Sequence, residues 1–276
     1  MQNKLSDIVI SPNHLKEMET YWKYLSPEFD LHLENYLAIF EKHRQETGII
    51  PPSEEDWKRL PFGAFATDAS WKWRRESLAI MTNFIGESTF DATLEIGSWN
   101  GWLTKYLAKK SNVVIGTDYF VCPYDGIKNI AALSNNIVAV QCQIEEIKTS
   151  FKSESFDLIV LNHNLSYMNN PVDFIKDLLP LLKPKGKIIS IGNTFYKNPE
   201  KKIGKNKLDE KNYYDKYGIE LYIKPVKGYM DNEDLNLLKQ ANFEIKEYPS
   251  KRLQNSFSKL NPKAPFYAYI TFENHD

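Results

Sequence analysis

The chain has little cysteine and no long apolar run, and its charges nearly cancel. Two cysteines in 276 residues, Cys122 and Cys142, are too few for a disulfide framework or a cysteine zinc cluster. No apolar stretch is long enough to span a bilayer, and the N-terminus lacks the apolar core of a signal peptide. A formal charge of −1 gives no general attraction to nucleic acid or membrane. We therefore expect a soluble, cytoplasmic protein without a metal site, a membrane partner or a nucleic-acid partner.

The first 90 residues carry the apolar spacing of helices. Large apolar side chains recur at helical intervals between residues 33 and 40, and again between residues 71 and 85. A regular alternation of strands and helices begins only near residue 91. We predict a helical extension over residues 1–90, followed by an α/β domain over residues 91–276.

The stretch from Ala92 to Thr104 predicts a strand, a tight turn and a helix, which is the start of a βαβ unit. Gly97 and Gly101 permit a positive φ and a close approach of a ligand to the backbone. Glu95 stands at the carboxyl end of the strand, where open α/β sheets bind their ligands. The dinucleotide motif G-x-G-x-x-G is absent, and a carboxylate at this turn would repel a pyrophosphate. The turn therefore predicts a ligand that carries an amine or a positive charge.

The second strand ends in an acid that suits a ribose. Asp118 follows Gly97 by 21 residues, close to the spacing of about 20 residues at which a second-strand acid meets a ribose. Its carboxylate would accept both ribose hydroxyls, and the neighbouring Tyr119 could cover an adenine ring. Further strands are predicted at 137–141, at the start of the stretch 155–168, which runs on into a polar loop, and at 187–191. They alternate with helices, so the sheet should be parallel.

Two arginines border the apolar face of the helix that precedes the first of these strands. Arg74 and Arg75 follow Trp71 by three and four residues. Either guanidinium could hold a ligand carboxylate through paired hydrogen bonds, and Arg74 is the better placed. The alternative is that both stems pack on the protein while the charged groups reach water.

These segments, taken in order, resemble class I S-adenosylmethionine-dependent methyltransferases. The glycine turn resembles the first motif of the family, Phe156–Ile159 the fourth motif, and Lys183–Lys187 the turn before the fifth strand. The combination of Trp71–Arg74 with the loop Asn162–Tyr167 resembles bacterial members that have an N-terminal helical extension. The resemblance implies a Rossmann-like α/β fold with a mostly parallel, seven-stranded sheet, helices on both faces, and a last strand that returns antiparallel between its neighbours.

The resemblance also implies S-adenosyl-L-methionine as cofactor and S-adenosyl-L-homocysteine as product. The cofactor-binding residues would be Arg74, Glu95, Gly97, Gly101, Asp118, Tyr119, Gln143, Ile144 and Asn162. Gln143 and Ile144 match the positions where the family binds the adenine, and Gln143 replaces a more common acid.

One residue departs from the family pattern. Trp99 occupies the position of a central glycine in the turn. An indole that pointed inward would fill the space for the aminoacyl group, whereas one that pointed outward could cap the site or pack on the N-terminal helices. We favour the outward orientation because Glu95, Asp118 and the fourth motif are present.

Methyl transfer from a sulfonium requires mainly that the acceptor be positioned in line with the methyl group. An acceptor hydroxyl or ammonium would also benefit from a base. His163 is the one histidine near the expected methyl position, so it is a candidate base, although a structural role is the alternative. Tyr167 is a candidate for positioning the acceptor.

Three functions are compatible with the sequence. We favour a methyltransferase that acts on an oxygen or nitrogen of a small molecule. An RNA or protein methyltransferase is suggested by a lid-like insertion at about 195–229, which holds nine lysines against five acids and could instead be a solvated loop. The third possibility is a non-catalytic module in which Trp99 blocks the cofactor pocket.

Overall fold

The structure, a computed structural model, describes residues 2–275 and contains one sheet with ten strands. The strands are β1 (Lys16–Glu17), β2 (Trp22–Tyr24), β3 (Phe90–Ile96), β4 (Ser111–Asp118), β5 (Ile137–Cys142), β6 (Phe156–Asn162), β7 (Leu182–Tyr196), β8 (Met230–Asp231), β9 (Glu244–Glu247) and β10 (Phe266–Glu273). The α-helices are α1 (Gln2–Ile8), α2 (Pro27–Glu46), α3 (Glu54–Arg59), α4 (Ala69–Ile85), α5 (Thr104–Leu107), α6 (Ile147–Ser150), α7 (Pro171–Asp177), α8 (Glu200–Tyr217), α9 (Asn232–Gln240) and α10 (Arg252–Leu260).

Seven of the strands form the predicted sheet. Their spatial order is β5-β4-β3-β6-β7-β10-β9, and the first five run parallel. Strand β10 lies antiparallel between β7 and β9, as the resemblance implied. The chain order reverses at β3, whose two neighbours in the sheet are β4 and β6. Ligands bind open α/β sheets at such a reversal, so a ligand-binding site is expected at the carboxyl ends of these strands.

Three short strands widen the sheet beyond the predicted seven. Strands β1 and β2 form a hairpin inside the segment predicted as helical, and β2 pairs in parallel with β5. Strand β8 pairs with the end of β7. The prediction of an entirely helical N-terminal segment was therefore wrong for residues 16–24. The physical reason is that β5 would otherwise leave an edge of unpaired backbone groups, which β2 covers.

The sheet is buried on both faces. One apolar cluster includes Leu94 and Ile96 of β3 together with side chains of α7. A second cluster, on the opposite face, joins Val114 of β4 to Met81 of α4 and to Trp102. Both faces of a parallel sheet must be covered, which explains the nearly continuous apolar sequence of these strands.

The N-terminal helices are part of this architecture. Phe29, Leu33, Tyr36 and Leu37 of α2 form a third apolar cluster, which packs against the chain that follows β4. The Tyr36 hydroxyl donates to the carbonyl of Leu221 at 2.6 Å, so α2 also contacts the predicted insertion. Helix α2 and residues 219–223 thus lie beside the carboxyl end of β4. The domain boundary near residue 90 stays a prediction.

The predicted insertion contains a regular helix. Helix α8 has 18 residues and ends at Gly218, whose φ of 74° closes the helix in the left-handed conformation. Lys216 and Tyr217 at its end both bind the carboxylate of Glu46 on α2. Residues 200–217 of the insertion are therefore helical, and its role as a lid stays a prediction.

The packing of α2 generates a stability prediction. Leu33 is fully buried, whereas Leu31 on the same helix is 66% exposed. Leu33→Ala should lower the free energy of unfolding by about 2–5 kcal/mol, because it removes buried methyl groups and leaves a cavity. Leu31→Ala is the matched control and should change it by less than about 0.5 kcal/mol. Chemical denaturation followed by circular dichroism measures both. A separate early transition in Leu33→Ala would show instead that α2 unfolds independently of the sheet.

Candidate active site

The glycine turn after β3 is shaped by its neighbours. Gly97 has a φ of 70°, and a Cβ at this position would lie 2.3 Å from Nδ2 of Asn164. The same amide donates to the carbonyl of Ile96 at 2.6 Å. A larger residue at position 97 would therefore push the loop after β6 away from the turn. Glycine is required here for both its backbone conformation and its lack of a side chain.

Glu95 lies beneath this turn and is fully buried. Its carboxyl group accepts hydrogen bonds from the hydroxyl of Thr104 at 2.5 Å and from Nδ2 of Asn162 at 3.2 Å. Burial raises the pKa of Glu95 to about 8, although these hydrogen bonds act in the opposite direction. Glu95 therefore connects the ends of β3 and β6 with the start of α5, and it is largely protonated at neutral pH.

Asp118 anchors the turn from the end of β4. One carboxylate oxygen accepts the backbone N–H of Trp99 at 2.8 Å, and the other accepts those of Tyr119 and Phe120 at 2.7 and 3.2 Å. Burial raises the pKa of Asp118 to about 6. A carboxylate offers about four lone-pair positions, so roughly one stays available for a ribose hydroxyl.

Trp99 contacts the N-terminal helices. Its ring stacks on that of Trp71 in α4, with the centroids 5.6 Å apart. Its indole N–H donates to Asp125 at 2.6 Å, and Asp125 also forms a two-point ion pair with Arg44 of α2, with N–O distances of 2.6 and 2.8 Å. These contacts agree with the predicted outward orientation. Neither Arg44 nor Asp125 was predicted, because no sequence pattern links residues 81 positions apart.

The two arginines of α4 differ in their surroundings. Arg75 donates to the backbone carbonyls of Pro61 and Ala66 at 3.0 and 2.6 Å, which fixes the loop before α4. The guanidinium of Arg74 lies over the rings of Trp71 and Trp99, at 5.0 and 5.2 Å. Among residues 2–275 it has no hydrogen-bonding or ion-pair partner. Arg74 therefore has a free guanidinium beside the glycine turn, whereas Arg75 does not.

The residues predicted to bind adenine lie after β4 and β5. The Tyr119 hydroxyl donates to the carboxylate of Glu145, and its ring is 5.8 Å from that of Phe29 on α2. Gln143 donates through its amide nitrogen to Glu146 at 2.5 Å, which leaves its oxygen free to accept. Ile144 is buried in the core below. The structure thus brings Tyr119 near the loop that holds Gln143 and Ile144, and α2 lies next to them.

Two buried amide oxygens near the turn have no partner in the described chain. They are Oδ1 of Asn162 and Oδ1 of Asn164, and their side-chain nitrogens are already bound to Glu95 and to the carbonyl of Ile96. An unsatisfied buried acceptor costs about 1–3 kcal/mol. Such atoms identify a place where a bound donor would stabilise the protein.

His163 belongs to a hydrogen-bonded chain that the sequence did not predict. Its Nε2 is 3.0 Å from the hydroxyl oxygen of Ser77, which is 2.8 Å from the hydroxyl oxygen of Tyr248. The Tyr248 oxygen accepts the backbone N–H of Gly192 at 2.7 Å. Both hydroxyl protons of this chain are used when Tyr248 donates to Ser77 and Ser77 donates to Nε2, an arrangement that predicts a proton on Nδ1 of His163. Burial, with a smaller contribution from Arg74, lowers the pKa of His163 to about 3. The ring is therefore a neutral and weakly basic group.

Tyr167 lies farther out. Its side chain is 49% exposed, and its ring centroid is 6.0 Å from that of Tyr222 in the insertion. The insertion also binds the loop after β6 directly, since the N–H groups of Lys227 and Gly228 donate to the carbonyls of Met168 and Ser166. Tyr167 is therefore placed at the contact between this loop and the insertion.

The described residues were also compared with the requirements of a metal site and of a membrane-spanning helix. No three histidine, cysteine, aspartate or glutamate side chains within residues 2–275 come together as a metal site would require. Over the same residues, none of the helices has the length and apolar character needed to traverse a bilayer.

Comparison with protein families finds a methyltransferase domain over residues 94–190. Ubiquinone biosynthesis O-methyltransferase of Coxiella burnetii (strain RSA 493 / Nine Mile phase I) is 34% identical over 95 residues, which are 34% of this chain and 40% of that protein. The enzyme of the same name from Histophilus somni is 29% identical over 109 residues, 37% of this chain and 45% of the relative. The chain thus spans less than half the length of these curated relatives.

Solved structures share the fold at low sequence identity. Phosphoethanolamine N-methyltransferase 2 of Haemonchus contortus, in complex with phosphomonomethylethanolamine and S-adenosylhomocysteine, superimposes with a TM-score of 0.53 and 13% identity over 87% of this chain and 61% of that one. The YcgJ protein of Bacillus subtilis gives a TM-score of 0.51 and 13% identity over 73% and 99%.

The strand order and these matches confirm the predicted class, since the protein has the fold of class I S-adenosylmethionine-dependent methyltransferases. Within it, residues 94–190 match the methyltransferase-domain model, and helices of the predicted N-terminal region precede them.

The buried Glu95 generates a prediction about stability and pH. Its pKa is about 8 in the folded protein against 4.5 for an ordinary glutamate, so the unfolded chain loses this proton first as the pH rises. Stability should therefore fall between pH 5 and 8. Glu95→Gln mimics the protonated form and should reduce this fall by an amount on the order of a few kcal/mol. Chemical denaturation at several pH values measures it. The exposed Glu87→Gln is the control, and equal curves for Glu95→Gln and wild type would contradict the prediction.

A second prediction concerns the protonation of His163. Since its pKa is lowered to about 3, the imidazole should not titrate between pH 5 and 8 and should show the Nδ1–H tautomer. NMR of the protein with labelled histidine measures both properties, and His163→Gln identifies the signal. A midpoint near 6.5 would show that the chain through Ser77 does not hold the ring neutral.

Proposed function

We propose that this protein is an S-adenosylmethionine-dependent methyltransferase that transfers a methyl group to an oxygen or nitrogen of a small molecule. The observation that carries the proposal is the set of unpaired polar groups around the glycine turn. They include the guanidinium of Arg74, the buried amide oxygens of Asn162 and Asn164, and the buried amide nitrogen of Asn100. An amino-acid ligand supplies the matching carboxylate and ammonium.

The other predicted binding residues fit the same cofactor. Asp118 has about one lone pair left for a ribose hydroxyl, and the free oxygen of Gln143 can accept from an adenine amine. The Tyr119 ring and Ile144 supply apolar surface beside it. Glu95, Gly97 and Gly101 act by shaping the turn, because the carboxyl group of Glu95 is enclosed by Thr104 and Asn162. In this proposal Arg74 holds the carboxylate end.

The bound cofactor would supply an activated methyl group on a sulfonium. The residues of the chain would then bind and orient, because in-line displacement depends mainly on the alignment of the reacting atoms. We assign to His163 a positioning role in the loop after β6, since a neutral imidazole with a pKa of about 3 is a poor proton acceptor at neutral pH. Tyr167 and Tyr222 are the groups we assign to contact with the acceptor.

Two observations favour a small acceptor over a macromolecule. Helix α2 and the insertion meet beside the site, through Tyr36 and Leu221, which limits the space for a large substrate. Three of the nine lysines of the insertion are paired with acids, namely Lys211 with Asp215, Lys216 with Glu46, and Lys227 with Asp231 and Asp234. Paired lysines contribute little to phosphate binding, which reduces the case for RNA. The names of the matched relatives also refer to small substrates.

Calorimetric titration with S-adenosylhomocysteine tests the proposal. Wild type should bind in the micromolar range, and Arg74→Met should bind roughly ten- to a hundredfold more weakly, because a hydrogen-bonded charge is worth about 1.5–3 kcal/mol. Lys72→Met, an exposed change on the same helix, is the control and should bind as wild type does. Transfer of a labelled methyl group to pooled small phenols and amines then tests activity.

The opposite results would be informative. Failure of wild type to bind would contradict the proposal and favour the alternative in which Trp99 blocks the pocket. Binding by Trp99→Gly alone would establish that alternative. Equal binding by wild type and Arg74→Met would show that the protein binds the cofactor without a contribution from Arg74.

A further inference from the structure

Helix α10 is amphipathic, but it buries its polar face and exposes its apolar face. Its apolar residues Leu253, Phe257 and Leu260 follow each other at helical spacing and are 86%, 58% and 85% exposed. Its buried residues are the polar Asn255 and Ser258, which are 0% and 3% exposed. A surface helix of a globular protein normally turns its apolar face to the core. In α10 the apolar face is turned to solvent.

The polar face of α10 is bound firmly to the sheet. Asn255 accepts the backbone N–H of Tyr267 at 2.8 Å and donates to the carbonyl of the same residue at 2.9 Å. Ser258 donates to the carbonyl of Asn255 at 2.7 Å. The two bonds to Tyr267 satisfy the side-chain amide of Asn255 inside the protein. They also fix the orientation of the helix, so that its apolar face cannot turn inward without breaking them.

The segment that contains α10 carries charges of one sign, although the acids Glu76 and Glu247 lie at its edge, where they contact Ser250 and Lys259. Residues 249–265 include four basic residues, Lys251, Arg252, Lys259 and Lys263, and no acid. Arg252 and Lys263 have no ion-pair partner within residues 2–275. Lys259 is 3.9 Å from Glu247, and Lys251 lies over the Tyr267 ring at 5.1 Å. The whole chain has a net charge of −1, but this segment is locally basic. Its basic residues lie beside the three exposed apolar side chains of α10.

We propose that α10 and its basic flank, residues 249–265, bind the surface of a membrane that contains anionic phospholipid. An interfacial helix places its apolar side chains at the boundary of the acyl chains while basic residues contact the headgroups. Leu253, Phe257 and Leu260 protrude as such insertion requires. Leu253 and Phe257 also line a mostly apolar groove with Ala264, Pro265 and Tyr267, and the polar Ser250 and Gln254 complete its lining.

The charges argue against the other occupants of this face. In a symmetric dimer through α10, the four basic residues of one copy would face those of the other, and like charges repel. An acidic protein partner would complement the charge. However, three side chains that project outward in a row suit a soft bilayer better than a rigid, well-packed interface. The proposal does not depend on the methyltransferase function.

Sedimentation with lipid vesicles tests the proposal on the 276-residue chain. Wild type should bind vesicles made of equal parts phosphatidylglycerol and phosphatidylcholine, and bind pure phosphatidylcholine much more weakly. The variant L253S/F257S/L260S should reduce binding to the anionic vesicles at least about tenfold, because it removes the inserting side chains. The variant K251Q/R252Q/K259Q/K263Q should weaken binding and abolish its dependence on salt. Both variants should keep the melting temperature, since the altered side chains are largely at the surface.

A matched control is available elsewhere on the surface. Leu31 and Leu208 are 66% and 56% exposed on α2 and α8, and L31S/L208S should bind vesicles as wild type does. Absence of vesicle binding by wild type at low salt would overturn the proposal. So would equal binding by wild type and L253S/F257S/L260S. A dimer in light scattering that this triple variant dissociates, without vesicle binding, would assign the face to a second copy instead.

Discussion

The candidate site depends on two carboxyl groups buried at the ends of neighbouring parallel strands. Glu95 and Asp118 are 0% and 6% exposed, and burial of a carboxyl group is costly unless it is protonated or hydrogen-bonded. The protein uses both solutions. Glu95 has a pKa of about 8 and bonds to Thr104 and Asn162, while Asp118 accepts three backbone N–H groups. These bonds fix the relative positions of β3, β4 and β6, and with them the shape of the glycine turn.

Trp99 shows how the N-terminal helices contribute to that turn. A residue with a side chain in the left-handed conformation costs roughly 1–2 kcal/mol, and Trp99 has a φ of 49°. Its stacking on Trp71 and its hydrogen bond to Asp125 offset this cost. Since Asp125 is also paired with Arg44 of α2, the helices before residue 90 and the turn stabilise each other. A central glycine would lack these contacts. Trp99, which replaces that glycine, therefore packs with the N-terminal helices as one structural unit.

Side chains without partners occur at two places in this protein. At the turn they include the guanidinium of Arg74 and the buried amide oxygens of Asn162 and Asn164. On α10 they are exposed apolar side chains, held outward by the buried Asn255. The first suits a zwitterionic small molecule, and the second suits an amphipathic surface.

The sequence, with the family resemblance it carries, predicted the fold class, a parallel sheet and the strand ends at which the two acids lie. Apolar runs that end in Glu95 and Asp118 are local patterns, and the connectivity of parallel strands brings their carboxyl ends together. Only the tertiary structure decided which groups are free, because Arg74 and Arg75 are adjacent in sequence but differ in their partners. It alone joined Arg44 to Asp125, and Ser77 to His163 and Tyr248, over long separations in the chain. It also added β2 to the sheet and turned the apolar face of α10 outward. Such pairings depend on packing between distant segments, which periodicity within one segment does not encode.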